Sequence, residues 1–146
     1  MDYRVLNRDL NFGLESEKEK VEIIKEKFGQ GLKKVKDNYF VFDFACENCY
    51  VELKTRKCEL NKYPSTMIGM NKIDYASHTN RPVYFVFAFT DGMYYWKYNK
   101  EDFENGNVII NKGGRCDRGI NEIKDYAYIK NDILIDLGKS MANQIN

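Results

Sequence analysis

No run of apolar residues in this chain approaches the length of a bilayer span, which argues against a helical membrane anchor within it. The N-terminus also lacks the basic-then-apolar layout of a secretory leader, so the expectation is a soluble, cytoplasmic protein. Neither sign of charge predominates: 23 Lys and Arg stand against 22 Asp and Glu. That balance excludes a protein that coats nucleic acid by bulk electrostatics and leaves only a local basic patch. Histidine is nearly missing. His78 alone follows an expected helix end, so serine and cysteine lack a plausible base and triad hydrolases are excluded. There is no internal repeat, low-complexity segment or linker, and 146 residues fit a single domain, 1–146, with a core of ordinary size. What the chain does have is aromatic residues, 11 Tyr and 9 Phe, which point to a folded β-rich or mixed protein.

Cysteines are few and poorly spaced for zinc. Cys46 and Cys49 form a C-x-x-C pair, but Cys58 and Cys116 are too far apart in sequence to form a second knuckle. The simpler reading is a pair of reduced thiols opposed across a hairpin turn.

That hairpin is the most informative segment. Cys46-Glu47-Asn48-Cys49 lies between two runs rich in aromatic and β-branched residues, so Glu47-Asn48 is the natural two-residue turn. Counting outward, Cys46 faces Cys49, Ala45 faces Tyr50, Phe44 faces Val51 and Asp43 faces Glu52, which sets two acids within cross-strand reach. Lys54 shares the face of Glu52. The other face is expected to carry Phe40, Phe42, Phe44, Val51 and Leu53, and that apolar set pins the register, leaving the acids on an open polar face. Adjacent carboxylates repel unless a positive group lies between them, and a hard divalent cation is the common solution.

Elsewhere, Leu14, Val21, Ile24 and Phe28 mark an amphipathic helix over 14–28, ended by Gly29-Gln30-Gly31. Glu17 falls on its apolar stripe, where a place in the first turn would suit the helix dipole. After a turn-rich stretch, 61–66, a second helix is predicted from about Met67 or Met70 to Ser77, closed by Asn80-Arg81-Pro82. Val83–Phe89 and Met93–Tyr98 form a hairpin about Asp91-Gly92, and the first of these strands, apolar on both faces, reads as central. A helical turn at 101–103, strands at 108–110 and 126–130, a loop at Gly113-Gly114-Arg115 and a helical or irregular tail from Asn131 complete the chain. A sheet with a helix on each face buries these surfaces most economically.

Gly13 and Glu17 in FGLESE, Asp43 in FDF, and Glu52 and Lys54 in VELKTR resemble the PD-(D/E)XK nuclease superfamily. Phe42 stands where that motif has proline. The resemblance covers roughly the first two thirds of the chain and implies an α/β fold: a central mixed β-sheet flanked by helices, a restriction-endonuclease-like core in the order αβββαβ. It also implies Mg²⁺-dependent DNA hydrolysis by an endonuclease, with Mn²⁺ able to substitute. Asp43, Glu52 and the Leu53 carbonyl would hold the metal, Glu17 a metal-bound water or second ion, and Lys54 would orient the attacking water. Arg56, Lys72, Tyr63, Ser65 and Thr66 are the candidate nucleic-acid contacts, with Lys33, Lys34 and Lys36 on a basic rim. One active set per chain leaves room for a homodimer. The tract YPSTMIGMNKI looks similar to small proteins of large DNA viruses or phages. The alternatives are a binding module of the same fold without catalysis, and an endonuclease directed at RNA.

Overall fold

The computed structural model describes residues 15–35, 41–113 and 124–137. Gly13, Leu14, Lys36, Phe40, Gly114, Arg115 and Cys116 lie outside them. The chain falls into two compact units, Met1–Leu32 and Lys33–Asn146. The first contains helix α1, Glu15–Phe28, whose Ile24 is buried and whose last turn carries Lys25 and Lys27, the sign that suits a helix C-terminus. Gly29 closes it: its N–H donates to the Lys25 carbonyl at 2.9 Å, and its φ of 136° is a conformation that L side chains rarely adopt.

The second unit is built on a mixed sheet. Its strands are β1 (Lys33–Lys34), β2 (Phe44–Ala45), β3 (Tyr50–Thr55), β5 (Val83–Phe89), β6 (Gly92–Lys97) and β9 (Ile135–Asp136), which adjoin in that order. The β2–β3 hairpin has the expected register, Phe44 opposite Val51 and Ala45 opposite Tyr50, and the Cys46 N–H donates to the Cys49 carbonyl at 3.0 Å. β3 and β5 run parallel, with Glu52 opposite Phe85 and Lys54 opposite Phe87. Parallel neighbours require a crossover. Here it consists of β4 (Ser65–Gly69) and helix α2 (Met70–His78). β5 is central, as its two apolar faces require.

A second, antiparallel sheet was not foreseen. It has the order β4-β8-β7, with β7 at Val108–Gly113 and β8 at Lys124–Lys130, and a short helix α3, Glu101–Glu104, precedes it. Its inner residues Ile68, Ala127 and Ile129 join Ile73 and Ala76 of α2 and Phe85 and Phe87 of β5 in one core cluster. Of the two expected starts of the second helix, Met70 holds and Met67 does not, and the turn-rich end at 65–66 is strand too: along 65–69, Thr66 and Ile68 alternate with more open neighbours, a period of two that a sheet satisfies. The tail from Asn131 also differs, because after a 3₁₀ turn Ile135–Asp136 adds to the edge of β6. The turn between β5 and β6 centres one residue earlier than expected, Phe89 opposing Gly92.

One hairpin residue changes sides. Val41–Asp43 bends out of the strand, and Phe42 stacks on Tyr50 with ring centroids 5.6 Å apart and meets Phe85 edge-on at 6.1 Å. It thus lies on the face of Glu52, not that of Phe44. The bend removes the alternation from which its placement was read.

Candidate active site

Strand periodicity puts Tyr50, Glu52 and Lys54 of β3 on one side, next to Val83, Phe85 and Phe87 of β5. Glu52 is only 1% exposed, so the face expected to be open is covered around its carboxylate. The crossover is the reason: Lys72 of α2 reaches Glu52 Oε2 at 3.0 Å, while Lys54 Nζ lies 3.3 Å from the same oxygen. Lys72 also donates to the Val41 carbonyl, which ties α2 to the bend beside Asp43. Glu52 Oε1 is buried and has no partner.

Asp43 is held by the hairpin. Its Oδ2 accepts the Leu53 N–H at 3.0 Å, which fixes one carboxylate next to the strand that carries the other. Burial pushes the Glu52 carboxyl above its ordinary value and the charge of Asp43 pushes the same way, while Lys72 and Lys54 oppose both. A buried carboxylate with two ammoniums on one oxygen and none on the other fits a hard cation: Mg²⁺ takes one or two carboxylates and fills its other positions with water and phosphate. Among the described residues no cluster of three or more His, Cys, Asp or Glu is placed to hold a metal.

The remaining candidates fall in three places. Glu17 stands in the first turn of α1, in the other compact unit, and is half-buried there. Lys54 keeps 38% of its side chain exposed. Arg56, Tyr63, Ser65 and Thr66 line one cleft, whereas Lys72 sits with Glu52. Within that cleft the Arg56 guanidinium donates to the Met67 carbonyl and lies 5.9 Å above the Phe87 ring, and burial draws its pKa down. Thr66 is buried on β4 and donates to Asn131 Oδ1 at 2.9 Å, so it does not cap α2.

Asn131 escaped notice in the sequence. Its Nδ2 donates to the Leu60 and Tyr63 carbonyls, and no local pattern signals a contact across some 70 positions. Cys46 and Cys49 are free thiols with Sγ atoms 3.6 Å apart. Burial raises the Cys46 thiol, but hydrogen bonds from Asn48 and Cys49 and the Arg81 charge outweigh it and leave it below its ordinary value. Burial pushes Cys49 up to about 12.

The model of the family described as "Phage putative PDDEXK endonuclease" matches residues 12–139. The chain belongs to this family. Its resemblance to PD-(D/E)XK nucleases and the α/β class with a mixed sheet are thereby borne out, and a phage source agrees with the look of the 63–73 tract. As an endonuclease of this family the protein takes nucleic acid as its substrate. No curated protein matches the chain. Among the described residues no helix is long and apolar enough to cross a membrane.

Proposed function

We propose that this endonuclease hydrolyses DNA phosphodiester bonds with Mg²⁺, held by Asp43, Glu52 and the Leu53 carbonyl, with Mn²⁺ able to replace it. The observation that carries the reading is the unpartnered, buried Oε1 of Glu52 beside Asp43. An unsatisfied buried polar atom costs about 1–3 kcal/mol, more for a charged group, and a bound cation removes that cost. When bound, the ion polarises the phosphate and offsets the charge that develops on it.

The protein groups divide the remaining tasks. Lys72 and Lys54 occupy Oε2 and so orient Glu52 with Oε1 left for the metal. Lys54, the more exposed of the two, orients the attacking water and offsets charge on the scissile phosphate. Water adds to phosphorus, the ester oxygen leaves, and the products are a phosphate monoester and a hydroxyl end. Glu17 contributes from α1 by holding a water or a second ion. The family match runs across both compact units, which supports reading them as a single nuclease domain acting inside a cell.

The test is Mn²⁺-supported cleavage of DNA and RNA side by side, with metal binding followed separately by calorimetry. Wild-type protein is expected to cut DNA and bind the ion, and Glu52→Gln to do neither. Cutting confined to RNA would move the substrate, and nucleic-acid binding without any cutting would leave a binding module.

A further inference from the structure

We infer that the cleft at the Arg56 end of β3 takes a single nucleobase drawn out of the stack next to the cut. The inference rests on the endonuclease reading and adds a recognition site to it.

The cleft has a volume of about 410 Å³, and its surface is mostly apolar, built from residues such as Met67, Phe89 and Tyr128 with the Arg56 guanidinium among them. Such a lining with a few convergent polar groups suits a flat heteroaromatic ring and not a hydrated phosphate. Tyr63, at 58% exposure, presents a ring at the edge, and Lys62 Nζ lies 5.8 Å from that ring. A stacking face beside a cation is what a base and its own phosphate require. Arg56 has five donors in a planar fork, and the Met67 carbonyl engages one end of it, which leaves others for the acceptor edge of a base. Asn131 pins the floor through Thr66 and the loop through the Leu60 and Tyr63 carbonyls, so the cleft is braced before a ligand arrives.

Position decides the occupant. Arg56 lies over Phe87, the register partner of Lys54, so it is on the same side of the sheet as Glu52 and Lys54. At roughly 3.3 Å per residue it lies about 13 Å along the strand from Glu52, within reach of a nucleotide flanking the scissile phosphate. A base must leave its stack to enter, so an unpaired or mismatched nucleotide at that position enters most readily.

Oligonucleotides carrying 2-aminopurine at one position at a time, bound in Ca²⁺, report on the site without cleavage. For wild-type protein the fluorescence is expected to change at least twofold at one position within a few nucleotides of the cut. Tyr63→Ala, which alters only an exposed side chain, and Ser65→Trp, which fills the cleft, are each expected to abolish that change. A second scan with single abasic residues in Mn²⁺ should lower wild-type kcat/KM about tenfold at that same position, and should have no effect in Tyr63→Ala. Normal cleavage with flat fluorescence and abasic scans would overturn the base site and leave the endonuclease reading intact. A fluorescence change lost in both variants, from a protein that cuts nothing, would uphold the base site and remove the nuclease.

Discussion

β3 and β5 are parallel neighbours in the middle of one sheet, yet they use burial for opposite ends. Phe85 and Glu52 face each other in register and are 0% and 1% exposed. The phenylalanine gains from losing water, by about 1.5–3 kcal/mol for a side chain of this kind. The glutamate loses by it: two lysines on Oε2 offset part of the cost of burying its charged form, while Oε1 goes unpartnered. Phe85 continues the row to Trp96 on β6, with stacked centroids 5.6 Å apart. A strand with no charge in its core supports a neighbour that carries one, and the cost of a buried acid is concentrated at Glu52.

The strongest way to break this contrast is to neutralise the acid. Glu52→Gln is expected to lower cleavage by about 10³-fold or more, some 4 kcal/mol of transition-state stabilisation. Its stability should move the other way. Because burial and then Asp43 raise the Glu52 carboxyl, the folded state keeps a proton that the unfolded state releases once pH exceeds the ordinary value of 4.5. Stability contributed by this group therefore falls as pH rises from there through the raised value. Urea unfolding without metal should show the Gln variant more stable than wild type at pH 7, with the difference vanishing below about pH 4. Equal stability at both pH values would remove the contrast.

Phe85→Ala should do the reverse, with a loss of about 3–5 kcal/mol in the same unfolding assay. Lys54→Ala is expected to slow cleavage about 10²- to 10³-fold with folding retained, because its ammonium stands at the exposed edge of the site. Lys72→Met sharpens the comparison further. Without that cation the Glu52 carboxyl rises further still, so the acid limb of the pH–rate profile should move to higher pH, with about tenfold slower cleavage at neutrality. The smallest effect is expected at the rim of the row: Asp102→Ala removes the acceptor of the Trp96 Nε1–H bond at 2.8 Å and should cost about 1 kcal/mol.

The β2–β3 hairpin was legible because its signals are local. A two-residue turn between alternating runs sets the register of Phe44 and Ala45, and Asp43, next in the chain, is held beside the strand of Glu52 by the Leu53 N–H. The same reasoning failed one residue further out, at Phe42, since the alternation holds only while the chain stays in the strand. β4 was misread because a five-residue segment ahead of a helix carries too little periodicity to separate strand from helical turn, and its partner β8 lies some 60 positions away. The cleft gathers residues singled out one by one, Arg56, Tyr63, Ser65 and Thr66, yet nothing local ties them to Phe89, Tyr128 or Asn131.

Residue order along the chain was enough to specify the turn, the strand register and the presence of acids and a lysine in one short tract, because these follow from neighbours within a few positions. Whether Glu52 faces water or the core was decided only when α2 crossed over β3 and brought Lys72 to its carboxylate. Burial is a property of everything that packs around an atom, and those contacts come from segments too distant for any local pattern to encode.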